Sequence, residues 1–145
     1  MNNGGDFVRC IICLDEKNGM MFNKRRLSQD IVIVKDVLEY ESPIMMNSYS
    51  YKIFAQEDIN KKILVQEGLP ILNEDYFQWI EDVDLKDYEI KISELIVYYW
   101  NRMYPSDLKC HIDFSDDKWE VISEIELNGN SHEKITKRVY KRKEM

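Results

Sequence analysis

The sequence predicts an α/β domain in which helices flank a mixed central sheet and a C-terminal antiparallel hairpin closes it. A β-rich apolar run at residues 7–14 has the composition of a strand buried on both faces. An amphipathic helical pattern follows at residues 30–40. Near the C-terminus, alternating segments at residues 119–127 and 135–140 are separated by an Asn-Gly turn. Together these patterns predict a mixed sheet that ends on two antiparallel strands.

The first half of the chain is predicted to alternate strands and helices. Residues 15–26 contain an Asn-Gly turn and no clear period, so we expect a loop that crosses the end of the first strand. Ser28 and Asp30 are placed to start the first helix, one as its cap and the other as a carboxylate near the positive end of the helix dipole. Three further elements are predicted: a strand at residues 44–46, a helical turn at 49–55 and a strand at 61–66.

The second half is predicted to contain two more helices. Asn73 precedes an aromatic stripe that we interpret as the core face of a helix extending to about Val83. Residues 88–92 alternate like a short strand, and Ser93 is predicted to begin a largely buried helix that stops before Pro105. Residues 109–114 alternate again and predict one more strand.

Length and composition favour one globular domain. The 145 residues are predicted to form a single domain, with residues 1–6 as a flexible leader. There is no run of about 20 apolar residues that would cross a bilayer, so no membrane association is expected. The N-terminal residues lack the apolar core of a secretory signal, so we expect a cytoplasmic protein.

The net charge of −7 indicates the class of partner. Acidic residues dominate between residues 56 and 97, which argues against nucleic acid as the main ligand. Five acidic residues in this region are candidates for a protein-binding surface, with a solvated face as the alternative: Glu74, Asp75, Glu81, Asp82 and Asp84. The basic segment 134–143 is interpreted as a terminal strand with a solvated face, with an acidic-partner or nucleic-acid patch as the alternative.

Cysteine, histidine and serine spacing offers little chemistry. Cys10 and Cys13 have CxxC spacing, but they lie in a β-type run, so we interpret them as strand thiols rather than a redox or half-zinc site. His111 and His132 lack a Cys or His at ligand spacing, and we predict no metal site. No glycine-flanked Ser forms a nucleophile elbow, which argues against Ser/His/Asp catalysis.

Several local strings, in order, resemble dihydrofolate reductase over nearly the whole chain. Leu14 to Gly19 (LDEKNG) is similar to the family's Asp-Glu-x-Asn-Gly turn, and Leu27 to Asp30 (LSQD) to its Leu-Pro-x-Asp helix start. Pro43 to Tyr51 (PIMMNSYSY) is similar to its Pro-Val-Ile-Met-Gly-Arg-x-Thr-Tyr segment. The closing strings WEVIS and VYKRK resemble the family's final hairpin. The resemblance implies a dihydrofolate reductase-like fold.

The resemblance also implies site residues. The family's carboxylate at the helix start holds the pterin ring and assists protonation, and Asp30 stands at that position. In an apolar pocket the pKa of such a carboxylate would be raised. The alternative is that Asp30 only supports the helix N-terminus. Four residues match the cofactor-binding positions, namely Ser48, Ser50, Ser93 and Glu94.

Departures from the family pattern argue against catalysis. Asn47-Ser48 replaces the Gly-Arg whose guanidinium would hold a cofactor phosphate, and Ser93-Glu94 replaces the Gly-Gly that lets a pyrophosphate approach backbone. The loop before Asp30 is shorter than usual and lacks the Pro-Trp that closes over nicotinamide. We therefore expect no cofactor. The first hypothesis is a non-catalytic, dihydrofolate reductase-like protein with a degenerate active site that binds a protein partner, such as a phage or mobile-element inhibitor or regulator. The alternative is a divergent NADPH-dependent dihydrofolate reductase that uses Asp30.

Overall fold

The computed structural model describes residues 6–143. Its ten strands are β1 (Val8–Leu14), β2 (Gly19–Phe22), β3 (Arg25–Arg26), β4 (Ile44–Met46), β5 (Ile63–Val65), β6 (Phe77–Trp79), β7 (Ile92–Tyr99), β8 (Leu108–Lys109), β9 (Trp119–Leu127) and β10 (Ile135–Arg142). Its helices are α1 (Ile31–Leu38), α2 (Ser48–Phe54) and a 3-10 helix (Leu85–Lys91). The predicted leader lies outside the described residues except for Asp6.

Within the described residues, seven strands form one mixed sheet in the order β5-β4-β6-β1-β7-β10-β9. The pairs from β5 to β7 are parallel, whereas β10 runs antiparallel to both β7 and β9. A second sheet joins the short strands β3, β2 and β8. The predicted α/β class, mixed sheet and C-terminal hairpin are confirmed.

The central strand β1 shows why the sheet is buried on both faces. Val8, Cys10 and Ile12 pack into one core cluster, and Ile11 packs into the cluster on the opposite face together with Ile33 of α1. A strand covered on both faces needs a continuous apolar sequence, which residues 7–14 supply. The predicted strand is confirmed, as are the strand at β4, the helix at α2 and the strand at β5.

Two predicted helices are wrong, because the structure forms strands there. Residues 77–79 form β6 beside β1, with Phe77 and Trp79 in one core cluster and Ile80 in the other. The segment after Ser93 belongs to β7, which pairs with β1 along its whole length. Both segments are apolar without a clear period because each is covered on two faces, and such runs resemble buried helices.

Two smaller predictions are also corrected. The strand predicted at residues 88–92 is the 3-10 helix, whose N-cap Asp84 accepts a hydrogen bond from the Lys86 amide at 3.0 Å. The loop predicted at residues 15–26 contains β2 and β3, which form the small sheet with β8. Between residues 6 and 143 no helix has the length and apolar character needed to cross a bilayer.

Candidate functional site

The candidate site is a cleft at the carboxyl ends of the parallel strands, where open α/β sheets bind their ligands. Helix α1 borders it and the segment after β6 lines it. The cavity in this cleft has a volume of about 20 Å³, lined by residues that include Cys13, Arg26, Ser28, Asp30, Glu81 and Trp100. That space admits about one water molecule. A larger open groove of about 580 Å³ shares Gln29, Asp30 and Ile53 with this cavity.

An ion pair between Arg26 and Glu81 lines the cleft cavity. Arg26 Nε donates to Glu81 Oε2 at 2.7 Å, and Arg26 Nη2 donates to Glu81 Oε1 at 3.0 Å. Ser50 Oγ donates to the same Oε1 at 2.7 Å, and the guanidinium lies over the Tyr49 ring, 4.3 Å from its centroid. Burial disfavours the charged guanidinium, but the hydrogen bond and charge of Glu81 outweigh it and raise the pKa of Arg26. The fork geometry fixes both side chains.

Asp30 caps α1 and holds the loop between β9 and β10. Its Oδ1 accepts a hydrogen bond from the Val32 amide at 3.0 Å. Its Oδ2 accepts from the amides of Asn130 at 2.9 Å, Ser131 at 2.9 Å and His132 at 3.1 Å. The carboxylate is thereby held by backbone donors on both sides.

The protonation expected for Asp30 is corrected by these contacts. Burial alone would raise the pKa of this carboxyl, but the amides of Asn130, Val32 and Ser131, with the His132 ring, lower it well below its usual range. Asp30 is therefore a stable anion, and the raised pKa expected for a proton donor is wrong. Of the two helix-start residues, Asp30 is the cap.

Asp30 also contacts a histidine that the sequence did not associate with the site. His132 Nδ1 lies 3.1 Å from Asp30 Oδ2, and His132 Nε2 lies 2.9 Å from Ser28 Oγ and 3.2 Å from the Tyr104 hydroxyl. The imidazole is buried and stacks on Trp100 with ring centroids 4.6 Å apart. More than one hundred residues separate Ser28 from His132, so no local spacing could have indicated the group.

The four predicted cofactor positions are all engaged with the chain itself. The Ser48 amide donates to Glu67 Oε2 at 2.9 Å, and Ser50 is buried against Glu81. Ser93 and Glu94 lie inside β7, where Ser93 Oγ donates to the Val8 carbonyl at 3.3 Å. They do not precede a helix, so the placement of a pyrophosphate turn there is wrong. Carboxylates thus occupy two of the predicted donors, the Ser48 amide and the Ser50 hydroxyl.

The five candidate protein-binding residues do not share one environment. Asp75 and Asp82 are exposed, while Glu74 and Asp84 are half-buried. Glu81 is buried in the ion pair, so its expected place on an acidic surface is wrong. Asp84 Oδ2 lies 2.5 Å from His111 Nδ1. Asp75 and Asp82 are thus the two fully exposed members of the set.

The thiols and histidines give no further site. Burial raises the pKa of Cys110 to about 11 and that of Cys13 well above its ordinary value, so neither is an activated thiolate. Across residues 6–143 no three His, Cys, Asp or Glu side chains are grouped so that they could hold a metal ion.

Comparisons with known proteins bear on the fold of this chain. No family model matches the chain, and no curated protein matches it. Among solved structures, dihydrofolate reductase from Enterococcus faecalis in complex with NADP(H) and RAB-propyl is similar, with a TM-score of 0.65 and 10% sequence identity. The match covers 97% of this chain and 98% of that chain. The protein has the dihydrofolate reductase-like fold. The sequence resemblance is confirmed at this level, although the identity is too low for ligands to be transferred with the fold.

Proposed function

We propose that this dihydrofolate reductase-like protein acts by binding a protein partner and does not perform NADPH-dependent reduction. The observation that carries the proposal is the Arg26–Glu81 ion pair, which lines the cleft and leaves a cavity of only about 20 Å³ beside it. Opening the cleft would separate two largely buried charges or expose both to a ligand. Either change is costly because an unpaired buried charge is strongly destabilising.

The cofactor side of the cleft supports the same proposal. Glu67 accepts from the Ser48 amide at 2.9 Å, and Glu81 accepts from Ser50 at 2.7 Å. A dinucleotide phosphate would compete with these two carboxylates for the same donors and would be repelled by their charge. These two occupied positions argue against the reductase alternative.

The surface supplies a reason to favour protein as the ligand. Exposed Asp75 and Asp82 and half-buried Glu74 follow the exposed apolar residues Ile71 and Leu72 in the chain. Mixed apolar and acidic side chains suit a protein partner with a basic, apolar surface better than a nucleic acid. An inhibitor or regulator encoded by a phage or mobile element, acting in the cytoplasm, suits this small acidic chain.

Ligand titration tests the rejection of reductase chemistry. NADPH and dihydrofolate are added separately and together while thermal unfolding and absorbance at 340 nm are recorded. An authentic dihydrofolate reductase serves as the positive control. We expect neither stabilisation nor turnover, whereas a ligand at a hundred times its Kd would add about 2.7 kcal/mol. Stabilisation by NADPH together with turnover would overturn this part of the proposal.

Charge reversal tests the binding surface. The variant Glu74→Lys/Asp75→Lys/Asp82→Lys is compared with Glu41→Lys/Asp117→Lys/Glu133→Lys, which makes the same charge change at exposed positions elsewhere. Quantitative pull-down from host lysate selects proteins lost only from the first variant, and calorimetry with the purified candidate measures direct binding. We expect at least a tenfold loss of affinity for the first variant alone. Equal binding by wild type and both variants would contradict this surface.

A further inference from the structure

We propose that Ser28, His132 and Asp30 form a nucleophile–base–carboxylate relay that makes Ser28 reactive toward small activated carboxylic esters. Ser28 Oγ lies 2.9 Å from His132 Nε2, and His132 Nδ1 lies 3.1 Å from Asp30 Oδ2. This is the connectivity by which a serine is activated in acyl transfer: the hydroxyl faces one ring nitrogen and the carboxylate faces the other. The proposal adds an activity that protein binding does not require.

The partners of the imidazole favour the tautomer that the relay requires. Asp30 is held ionised by backbone amides, and an ionised carboxylate only accepts hydrogen bonds. His132 Nδ1 lies 3.1 Å from this carboxylate and 3.0 Å from Ser131 Oγ, and the relay has its proton on Nδ1, facing Asp30. Nε2 faces the hydroxyls of Ser28 and Tyr104, and in the tautomer protonated at Nδ1 it can accept the Ser28 proton.

The surroundings hold the base rigidly. Stacking on Trp100 and burial fix the ring plane of His132, while the amides of residues 130–132 fix the carboxylate behind it. Ser28 itself is half-buried and lines the cleft cavity, so its oxygen is not sealed in the core. The cavity beside Ser28 admits only about one water molecule, so an ester must reach Ser28 from its solvent-exposed side.

The reaction balances without a cofactor. Ser28 Oγ attacks the ester carbonyl carbon, a new carbon–oxygen bond forms, and the hydroxyl proton passes to His132 Nε2. The imidazolium returns that proton to the leaving alcohol as the original carbon–oxygen bond breaks. Water, deprotonated by the same Nε2, then hydrolyses the acyl-serine and restores the free hydroxyl. Asp30 stays ionised and stabilises the imidazolium.

Covalent labelling tests the relay. The full chain is treated with a fluorophosphonate, whose phosphorus Ser28 would attack with loss of fluoride, and the adduct is mapped by peptide mass spectrometry. We expect one adduct on Ser28, none in Ser28→Ala, and a rate at least tenfold lower in His132→Gln. Ser123→Ala, at an exposed serine of β9, should label like wild type. Hydrolysis of p-nitrophenyl acetate should follow the same order among the variants.

Two comparisons keep the test decisive. Circular dichroism confirms that each variant is folded, and wild type unfolded in urea shows whether labelling depends on the fold. The absence of an adduct on Ser28, or equal labelling of Ser28 in folded and urea-unfolded wild type, overturns the proposal whether or not His132→Gln folds. An undiminished rate in folded His132→Gln overturns the role of the base.

Discussion

Arg26 and Glu81 meet by two parallel hydrogen bonds, of 2.7 and 3.0 Å, inside the cleft of the fold. Both side chains are largely buried, with 18% and 8% of their surfaces exposed. The pair lines a cavity of about 20 Å³. Removing either charged side chain leaves the charge of the other without a partner.

The single variant Arg26→Met should therefore destabilise the protein more than a double variant in which neutral residues replace both Arg26 and Glu81. The single variant leaves the Glu81 carboxylate buried and uncompensated, which costs about 3 kcal/mol. Arg26→Met/Glu81→Gln removes both charges and should recover more than half of that loss. Urea unfolding of wild type, both single variants and the double variant gives the coupling energy. A double variant whose loss equals the sum of the single losses would contradict a coupled pair.

Asp30 should make the folded state sensitive to acid. Because its pKa is lowered in the folded protein, the Asp30 carboxylate contributes stability above its unfolded pKa of about 4, and that contribution is lost as pH falls through the folded pKa. The expected contribution at pH 7 is about 2–3 kcal/mol.

Urea unfolding between pH 7 and pH 2 measures this contribution. Asp30→Asn should be less stable than wild type at pH 7, and the difference should shrink toward pH 2. Asp87→Asn, at an exposed position, should track wild type throughout. A difference that stays constant with pH would show that the Asp30 charge does not stabilise the fold.

The sequence predicted the elements whose patterns are local. The amphipathic α1, the two-face pattern of β1 and the alternating hairpin each carry their own period, and each is confirmed. β6 and β7 were predicted as helices because their apolar residues are buried on both faces, which erases the alternation of a half-exposed strand. Only pairing with β1, a tertiary contact, makes them strands.

The candidate site was predictable only in part. Asp30 was found because a carboxylate before an apolar helical pattern has a local signature. The partners that determine its chemistry come from residues 130–132, which are distant in sequence. Likewise, Glu81 looked like one member of an exposed acidic run, and nothing near it in the sequence indicated Arg26. The roles of Asp30 and Glu81 both depend on contacts with residues that are distant in sequence.

Gly129 should be intolerant of a side chain because it lies against the capping carboxylate. A Cβ built on Gly129 would lie 2.8 Å from Asp30 Oδ2 and would also overlap the His132 carbonyl oxygen. Gly129→Ala must therefore displace the loop that donates to Asp30, with an expected loss of about 1–3 kcal/mol. Gly68→Ala is an informative comparison: no atom lies near its Cβ, and the strain comes from its φ of +77° alone.

The measurement for Gly129→Ala is urea unfolding together with amide hydrogen exchange. Faster exchange at Asn130, Ser131 and His132 should accompany the loss of stability, because these amides lose their common acceptor. In Gly68→Ala these three amides should exchange as in wild type. Unchanged exchange in Gly129→Ala would mean that the loop accommodates a Cβ without leaving Asp30.

Tyr98 should limit stability at alkaline pH. Its side chain is fully buried, and its hydroxyl donates to Asp36 Oδ2 at 2.5 Å and contacts the Tyr40 hydroxyl. Burial, together with the nearby Tyr40 and Asp36, raises the pKa of Tyr98 far above its ordinary value. The neutral phenol thus contributes stability that is fully present below its unfolded pKa of about 10 and is lost as pH rises beyond it.

Tyr98→Phe separates this effect from packing. At pH 7 the variant should lose about 1–2 kcal/mol, because Asp36 and Tyr40 lose a hydrogen-bond partner while the ring is kept. Between pH 9 and pH 11 the stability of wild type should fall more steeply than that of the variant, so the difference narrows. Tyr88→Phe, at an exposed position, should follow wild type. Parallel pH curves for wild type and Tyr98→Phe would show that Tyr98 ionises as readily in the folded as in the unfolded chain.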